Sequence, residues 1–327
     1  MQPAIFVEGL SKTFSVRMPS RGVFGTFKSL FSSKTVEFAA ARALSFSINP
    51  GEKIAFIGPN GAGKSTTIKM LTGILYPTSG IAKVLGLVPW EARTQLGFKI
   101  GTVFGQRSQL WYHLPARDTF NLLAKIYELS DATYKKRVGE LSDIFALNNL
   151  LDRPVRQLSL GERMRCELVA SLIHKPQILF LDEPTIGLDL NAKLQIRDLL
   201  NRLSQEQGTT LFLTSHDTQD IEEMAERVLV LDKGSLILDS SLTELKKTYL
   251  KKKVLTLITE EESIQLNLDG IQVLEQKPYH FVCEVDLQLH SIEKVIHAAL
   301  QVARVKDITI EDPSMEEIIR DVYAQGS

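Results

Sequence analysis

Residues 58–66 read Gly58-Pro59-Asn60-Gly61-Ala62-Gly63-Lys64-Ser65-Thr66, which is the pattern G-x-x-x-x-G-K-[ST]. Its chemistry is that of holding a polyphosphate. Glycines let successive backbone N–H groups turn inward without a Cβ clash. Those groups, together with the positive end of a following helix, face an anion. Lys64 then reaches the β- and γ-phosphates, and the Ser65 hydroxyl holds Mg²⁺. The surroundings agree, because Lys53-Ile54-Ala55-Phe56-Ile57 reads as a strand and Thr67-Ile68-Lys69-Met70-Leu71 as the opening of a helix.

A second group of residues complements the first. The apolar run Ile178-Leu179-Phe180-Leu181 ends in Asp182-Glu183. A nucleotide hydrolase needs such an acidic strand end opposite its phosphate loop: Asp182 to hold Mg²⁺ directly or through water, and Glu183 to polarise the attacking water as general base. Leu158-Ser159-Leu160-Gly161-Glu162-Arg163 precedes a helix through Met164, Leu168, Val169 and Leu172. Ser159 offers a hydroxyl, Gly161 permits close backbone approach, and the helix N-terminus favours an anion. A plain N-cap followed by Glu in the first turn explains the same residues.

These groups must be positioned by alternating strands and helices. Ile5–Val7, Ala43–Ile48, Ile100–Phe104, Thr210–Thr214 and Arg227–Leu231 read as further strands. Helical patterning covers about 116–150, 190–206 and 217–226, with Phe120, Leu122, Leu123, Ile126 and Tyr127 on the first tract. Short, wholly apolar runs suit buried parallel strands, and strands alternating with helices give an α/β sheet with ligands at the strand C-terminal ends. Beyond residue 245 the character changes. Strands at Val254–Ile258, His280–Val285 and Val305–Ile310 and helices at 292–302 and 315–323 describe a small α+β appendage. The lysines between 246 and 253 read as a solvated face, with attraction to acidic lipid as the lesser reading.

Composition narrows the class. The chain has 327 residues, which suits a large domain plus an appendage, and a net charge of −1, which gives no bulk electrostatic case for nucleic acid. Cys166 and Cys283 lie far apart, so neither a zinc site nor a disulfide framework is expected, and a reducing compartment fits. His280, His290 and His297 are not at matched ligand spacing. The opening residues lack a secretory pattern, and no apolar run approaches the roughly 20 residues needed to cross a bilayer. No Asn-Lys-x-Asp segment for reading guanine is present.

In order and spacing, these motifs resemble the ATP-binding subunit of ABC transporters across about residues 4–240. Gly58–Thr66 matches the Walker A loop, and Gln106, after the strand ending at Phe104, matches the Q-loop glutamine. Leu158–Glu162 resembles the signature motif, and Ile178–Pro184 matches Walker B with its adjacent glutamate. Gly187-Leu188-Asp189 resembles the D-loop, and Thr214-Ser215-His216-Asp217 the segment carrying the switch histidine. The signature reads Ser-Leu-Gly-Glu where Ser-Gly-Gly-Gln is common, so Leu160 stands in place of a glycine. Phe14 fits the adenine-stacking aromatic, and Phe38 competes for that place.

The resemblance implies a P-loop NTPase fold of ABC type: a mixed α/β sheet core, a helical subdomain at about 106–175 and an antiparallel β subdomain. The ATP-binding domain spans 1–245, with an insertion at about 15–42, and an accessory α+β domain spans 246–327. It implies ATP and Mg²⁺ as ligands, with Ser65, Gln106 and Asp182 around the metal. Glu183, His216 and Gln106 take catalytic roles. Ser159, Leu160, Gly161, Glu162 and the D-loop Asp189 meet a second subunit in a head-to-tail homodimer or heterodimer. Separate integral membrane permeases complete the assembly, peripheral to the cytoplasmic face of the cell's inner membrane, with no nucleic acid expected.

The insertion, the run Phe104–Trp111 and Leu158–Arg165 resemble the ABC-2-type exporter branch, including viologen-exporter-like and multidrug ATPases. An importer ATPase with a regulatory C-terminal domain and a soluble ABC ATPase acting on ribosomes or DNA remain the alternatives. The second usually carries two nucleotide-binding domains or a long coiled coil, and this chain shows one P-loop. Within the insertion, Phe24, Phe27, Leu30 and Phe31 share one helical face, for a membrane or permease contact or for packing on its own domain. Trp111 and Tyr112 suit a permease contact or the core of the helical subdomain.

Overall fold

The chain opens with β1 (Ile5–Arg17), which pairs antiparallel with β2 (Thr35–Ile48). β3 (Lys53–Ile57) enters a different sheet, and β4 (Ser79–Val84) returns to the other edge of β1. This computed structural model describes residues 2–17, 35–104, 108–249, 252–266 and 268–325. The insertion residues Phe24, Phe27, Leu30 and Phe31 lie outside them, as does Gln106. Two compact units emerge, Met1–Asp239 and Ser240–Ser327.

In the first unit the apolar runs build one sheet. β5 (Ile100–Phe104), β6 (Ile178–Asp182), β7 (Thr210–Thr214), β8 (Arg227–Asp232) and β9 (Ser235–Ser241) join β3 in the order β5-β6-β7-β3-β8-β9. The pairs from β5 through β8 are parallel. Every residue of β7 is buried, as is all of β6 before Asp182. Strands covered on both faces explain why these sequences are continuously apolar rather than alternating. Phe212 anchors the core between Phe56, 5.0 Å away between ring centroids, and Phe180 at 5.5 Å.

Helices α1 (Lys64–Leu71), α2 (Arg93–Gly97), α3 (Ala116–Ile126), α4 (Asp131–Ile144), α5 (Leu160–Leu172), α6 (Leu190–Gln207) and α7 (Thr218–Met224) complete this unit. The single tract expected over 116–150 is two helices. Glu128 takes a left-handed φ of 55° and interrupts the first, and the Ser130 side chain accepts the Thr133 N–H to cap the second. Trp111 and Tyr112 are 46% and 54% exposed, so they do not form the core of the helical region.

In the second unit, after α8 (Leu242–Tyr249), lies an antiparallel sheet of β10 (Lys252–Thr259), β11 (Ile271–Lys277), β12 (His280–Asp286) and β13 (Val305–Glu311), in the order β11-β12-β10-β13. α9 (Ile292–Val302) covers one face, and α10 (Met315–Gln325) follows β13. Leu255 and Leu257 sit opposite Cys283 and Phe281 and pack with Val295 and Ala299. The lysine stretch is not a uniformly solvated face. Lys252 Nζ pairs with Glu284 at 2.6 Å and Asp321 at 3.2 Å, and Lys253 Nζ with Asp312 at 2.5 Å, because both residues lie on β10 beside acidic neighbours. Cys166 and Cys283 are buried free thiols, and burial pushes each thiol pKa up to about 12.

Candidate functional site

A cleft of about 610 Å³ opens at the C-terminal ends of β3, β6 and β7. It is lined by residues 59–66, Lys69, Asp182, Glu183 and His216, with Phe38, Ala40, Ile74, Phe104 and Ile186. Parallel sheets place ligands there because the loops leaving the strand ends converge at a reversal of strand order. Here β3 runs between β7 and β8.

The loop geometry begins with Gly63. It caps α1 at φ 102°, a conformation that a side chain would strain, and an added Cβ would meet the Ala40 carbonyl. This turn brings Lys64 back beneath the loop. Its Nζ donates to the Gly58 carbonyl at 2.5 Å and to Pro59 at 3.3 Å, and lies 3.5 Å from His216 Nε2. Burial lowers the Lys64 pKa, against the pull of Glu183 and Asp182.

Register fixes the acidic pair. Asp182 sits opposite Thr214 across the parallel β6–β7 ladder. The Thr214 hydroxyl donates to Asp182 Oδ1 at 2.7 Å, and Ser65 Oγ donates to Oδ2 at 3.0 Å. The Glu183 N–H is held by both the carbonyl and the hydroxyl of Thr214, each at 3.1 Å. Glu183 carries a left-handed φ of 57°, a backbone state that non-glycine residues adopt sparingly and that aims its side chain into the cleft. Its Oε1 lies 3.2 Å from His216 Nε2 without hydrogen-bond alignment, so this buried oxygen is left without a hydrogen bond among the described residues. Burial raises the Glu183 pKa, opposed by His216 and Lys64. An acceptor so placed can take a hydrogen bond from a water and, once ionised, its proton.

Of the remaining sequence candidates among the described residues, Phe38 borders the cleft and the others do not. Phe38, 53% exposed, lines the cleft, while Phe14, its cross-strand neighbour, does not and has Lys12 Nζ 5.2 Å from its ring centroid. Ser159 N-caps α5 in a capping box with Glu162: the Glu162 N–H donates to Ser159 Oγ at 3.2 Å, and the Ser159 N–H to Glu162 Oε2 at 2.7 Å. Neither they nor Leu160 and Gly161 line this cleft. Instead, a Cβ at Gly187 would lie 3.2 Å from the Leu160 side chain, and one at Gly161 would lie 2.9 Å from Ala192, so the signature segment abuts the D-loop region of its own chain. Asp189 caps α6 by accepting the Ala192 N–H at 2.9 Å. Thr214 was legible as a strand end and as the start of the switch-histidine segment, but not as a partner of Asp182. Its partnership with Asp182 follows once β6 and β7 are recognised as parallel neighbours.

A glycine-rich phosphate loop, a lysine beneath it and an acidic strand end on a parallel sheet define a P-loop nucleoside triphosphatase. The family model described as "ABC transporter" matches residues 41–186. The "ABC transporter ATP-binding protein NatA" of Bacillus subtilis (strain 168) is 30% identical over 215 residues, which is 66% of this chain and 87% of that protein. The "Linearmycin resistance ATP-binding protein LnrL" of the same organism is 28% identical over 308 residues, 89% of this chain and 94% of that protein. Among solved structures, the dimeric ATP-binding cassette MJ0796, in a post-hydrolysis state bound to ADP and Pi, aligns with a TM-score of 0.61 and 25% identity over 73% of this chain and 98% of that one. The chain belongs to the ABC transporter ATP-binding family. It is an ABC-type ATPase that binds ATP, and cassettes of this family dimerise and work with transmembrane subunits. Among the described residues no helix is long and apolar enough to cross a membrane.

Proposed function

We propose that this chain energises an exporter, working as a homodimer or heterodimer of ATP-binding subunits on the cytoplasmic face of the inner membrane. The observation that carries this reading is the convergence of Lys64, Asp182, Glu183 and His216 in one cleft. Support for export comes from LnrL, named for linearmycin resistance and matched along nearly its whole length.

In this reading the loop 58–66 wraps the phosphates, and Lys64 exchanges its two loop carbonyls for phosphate oxygens. Ser65 and Asp182 present adjacent oxygen donors that fit Mg²⁺, which takes one or two protein oxygens plus phosphates and water. That ion would offset charge on the phosphate oxygens. Ionised Glu183 accepts the proton of the attacking water, and His216 contacts the γ-phosphate. Phe38 stacks on the base. Ser159, Leu160, Gly161, Glu162 and Asp189 serve the partner's nucleotide, and Gln106 relays the state of the site to the permease. The first unit, Met1–Asp239, serves as the ATP-binding domain and the second, Ser240–Ser327, as the accessory domain.

Glu183→Gln tests the chemistry. The variant binds ATP with wild-type affinity, loses turnover by about 100-fold or more, and accumulates an ATP-dependent dimer in size-exclusion chromatography. Wild-type turnover would refute the assignment of Glu183 as base.

A further inference from the structure

Arg197 on α6 and Asp220 on α7 are side chains with 1% and 0% exposure, joined by a 2.7 Å contact from Nε to Oδ1. None of the steps above uses them. Asp220 Oδ2 accepts a hydrogen bond from the Thr185 hydroxyl and another, at 2.6 Å, from Ser215 Oγ. Thr185 is two residues beyond Glu183, and Ser215 immediately precedes His216. Arg197 Nη2 lies 3.3 Å from Asp217, the residue after His216, and Lys193 Nζ pairs with the same carboxylate at 2.6 Å. One buried carboxylate thus ties together the two loops that deliver Glu183 and His216, and the helix following Asp189 carries its counter-charge, Arg197, and a second cation, Lys193, that pairs with Asp217.

Stability alone does not account for this arrangement. A buried ion pair recovers its desolvation cost poorly, and apolar residues of similar volume often serve as well. What the pair supplies is a fixed point shared by two loops. That matters here because Glu183 occupies a left-handed backbone conformation that its surroundings must enforce. The Thr214 contacts hold the Glu183 N–H on one side, and the Asp220 contact holds Thr185 on the other. Misplacing a reacting group by about 1 Å can cost on the order of 100-fold in rate.

We propose that Asp220, braced by Arg197, is a positioning residue that sets the spacing between Glu183 and His216 and so tunes the hydrolytic step without touching nucleotide. The inference rests on the roles assigned above to those two side chains.

Thr185→Val tests it, because it removes one hydroxyl tie and leaves the ion pair in place. ATP affinity is measured on the purified full chain, and turnover on the chain with the membrane proteins that co-purify with it. The expected result is a fall in kcat of about 10- to 100-fold with ATP affinity unchanged. Thr185→Ser, which restores the hydroxyl, recovers turnover. Asp220→Asn shows the same split between kcat and affinity. A Thr185→Val variant that loses thermal stability while each folded molecule turns over at the wild-type rate would overturn the proposal. Glu183→Gln, assayed alongside, separates the two failures. If Glu183→Gln is inactive and Thr185→Val is fully active, only the positioning role falls. If Glu183→Gln is itself active, the assignment of the base falls first.

Discussion

Replacing Phe38 by Ala separates two rings that are cross-strand neighbours. Phe38 lines the cleft and Phe14 does not. Stacking of a base on an aromatic ring is worth about 1–3 kcal/mol by alanine substitution. Phe38 is 53% exposed, so the lower end of that range applies. A loss of about 1–1.5 kcal/mol weakens ATP binding by roughly 5- to 13-fold. Equilibrium titration with a fluorescent ATP analogue at fixed Mg²⁺ reads this directly. Inorganic tripolyphosphate, which has no base, provides the internal control, and its affinity stays at the wild-type value. Phe14→Ala leaves both affinities unchanged. Stability changes little in Phe38→Ala because the ring is not in the core. Equal loss for ATP and tripolyphosphate, or a larger loss in Phe14→Ala than in Phe38→Ala, would refute the placement of the base against Phe38.

Burial raises the folded-state pKa of Glu183, so its stabilising contribution is complete below the unfolded carboxyl pKa and is lost as pH rises through the folded value. At neutral pH the ionised side chain therefore costs stability. Glu183→Gln melts higher than wild type at pH 7, and the gap closes as pH falls toward about 4.3; a gap that is absent at pH 7 or widens in acid contradicts the assigned cause. Gly63→Ala forces a side chain into a left-handed turn against the Ala40 carbonyl. It lowers stability by about 1–3 kcal/mol and abolishes measurable ATP binding, as thermal unfolding with and without nucleotide will show; wild-type melting in both conditions would mean that the loop tolerates a Cβ.

Asp182 and Glu183 were legible because they end a short apolar run, and buried parallel strands announce themselves as such runs; Lys64 was legible from its glycine-rich pattern, and His216 through the resemblance of Thr214–Asp217 to the switch segment. The order of those strands was not legible, and with it went the role of Thr214, since a partner across a ladder depends on which strands are neighbours. The choice between Phe14 and Phe38 depends on how two long strands and their neighbours present rings to the cleft, a tertiary matter that periodicity does not carry. The helical tract over 116–150 has the composition of one helix. Its break rests on the left-handed turn at Glu128 and the cap at Ser130, signals of one residue each. Lys252 and Lys253 looked like solvated charge because their acidic partners arrive from β12, from α10 and from the residue after β13, remote in sequence.

The buried thiols make this chain convenient for site-directed spectroscopy. With Cys166 and Cys283 enclosed and their pKa values raised to about 12, almost no thiolate exists at neutral pH to react with a maleimide. A single cysteine introduced at Leu190, which is 62% exposed beside Asp189, would accept a spin label or fluorophore without stripping out the native cysteines. Paired labels on two copies of the chain would then report the approach and separation of subunits as nucleotide is bound and consumed.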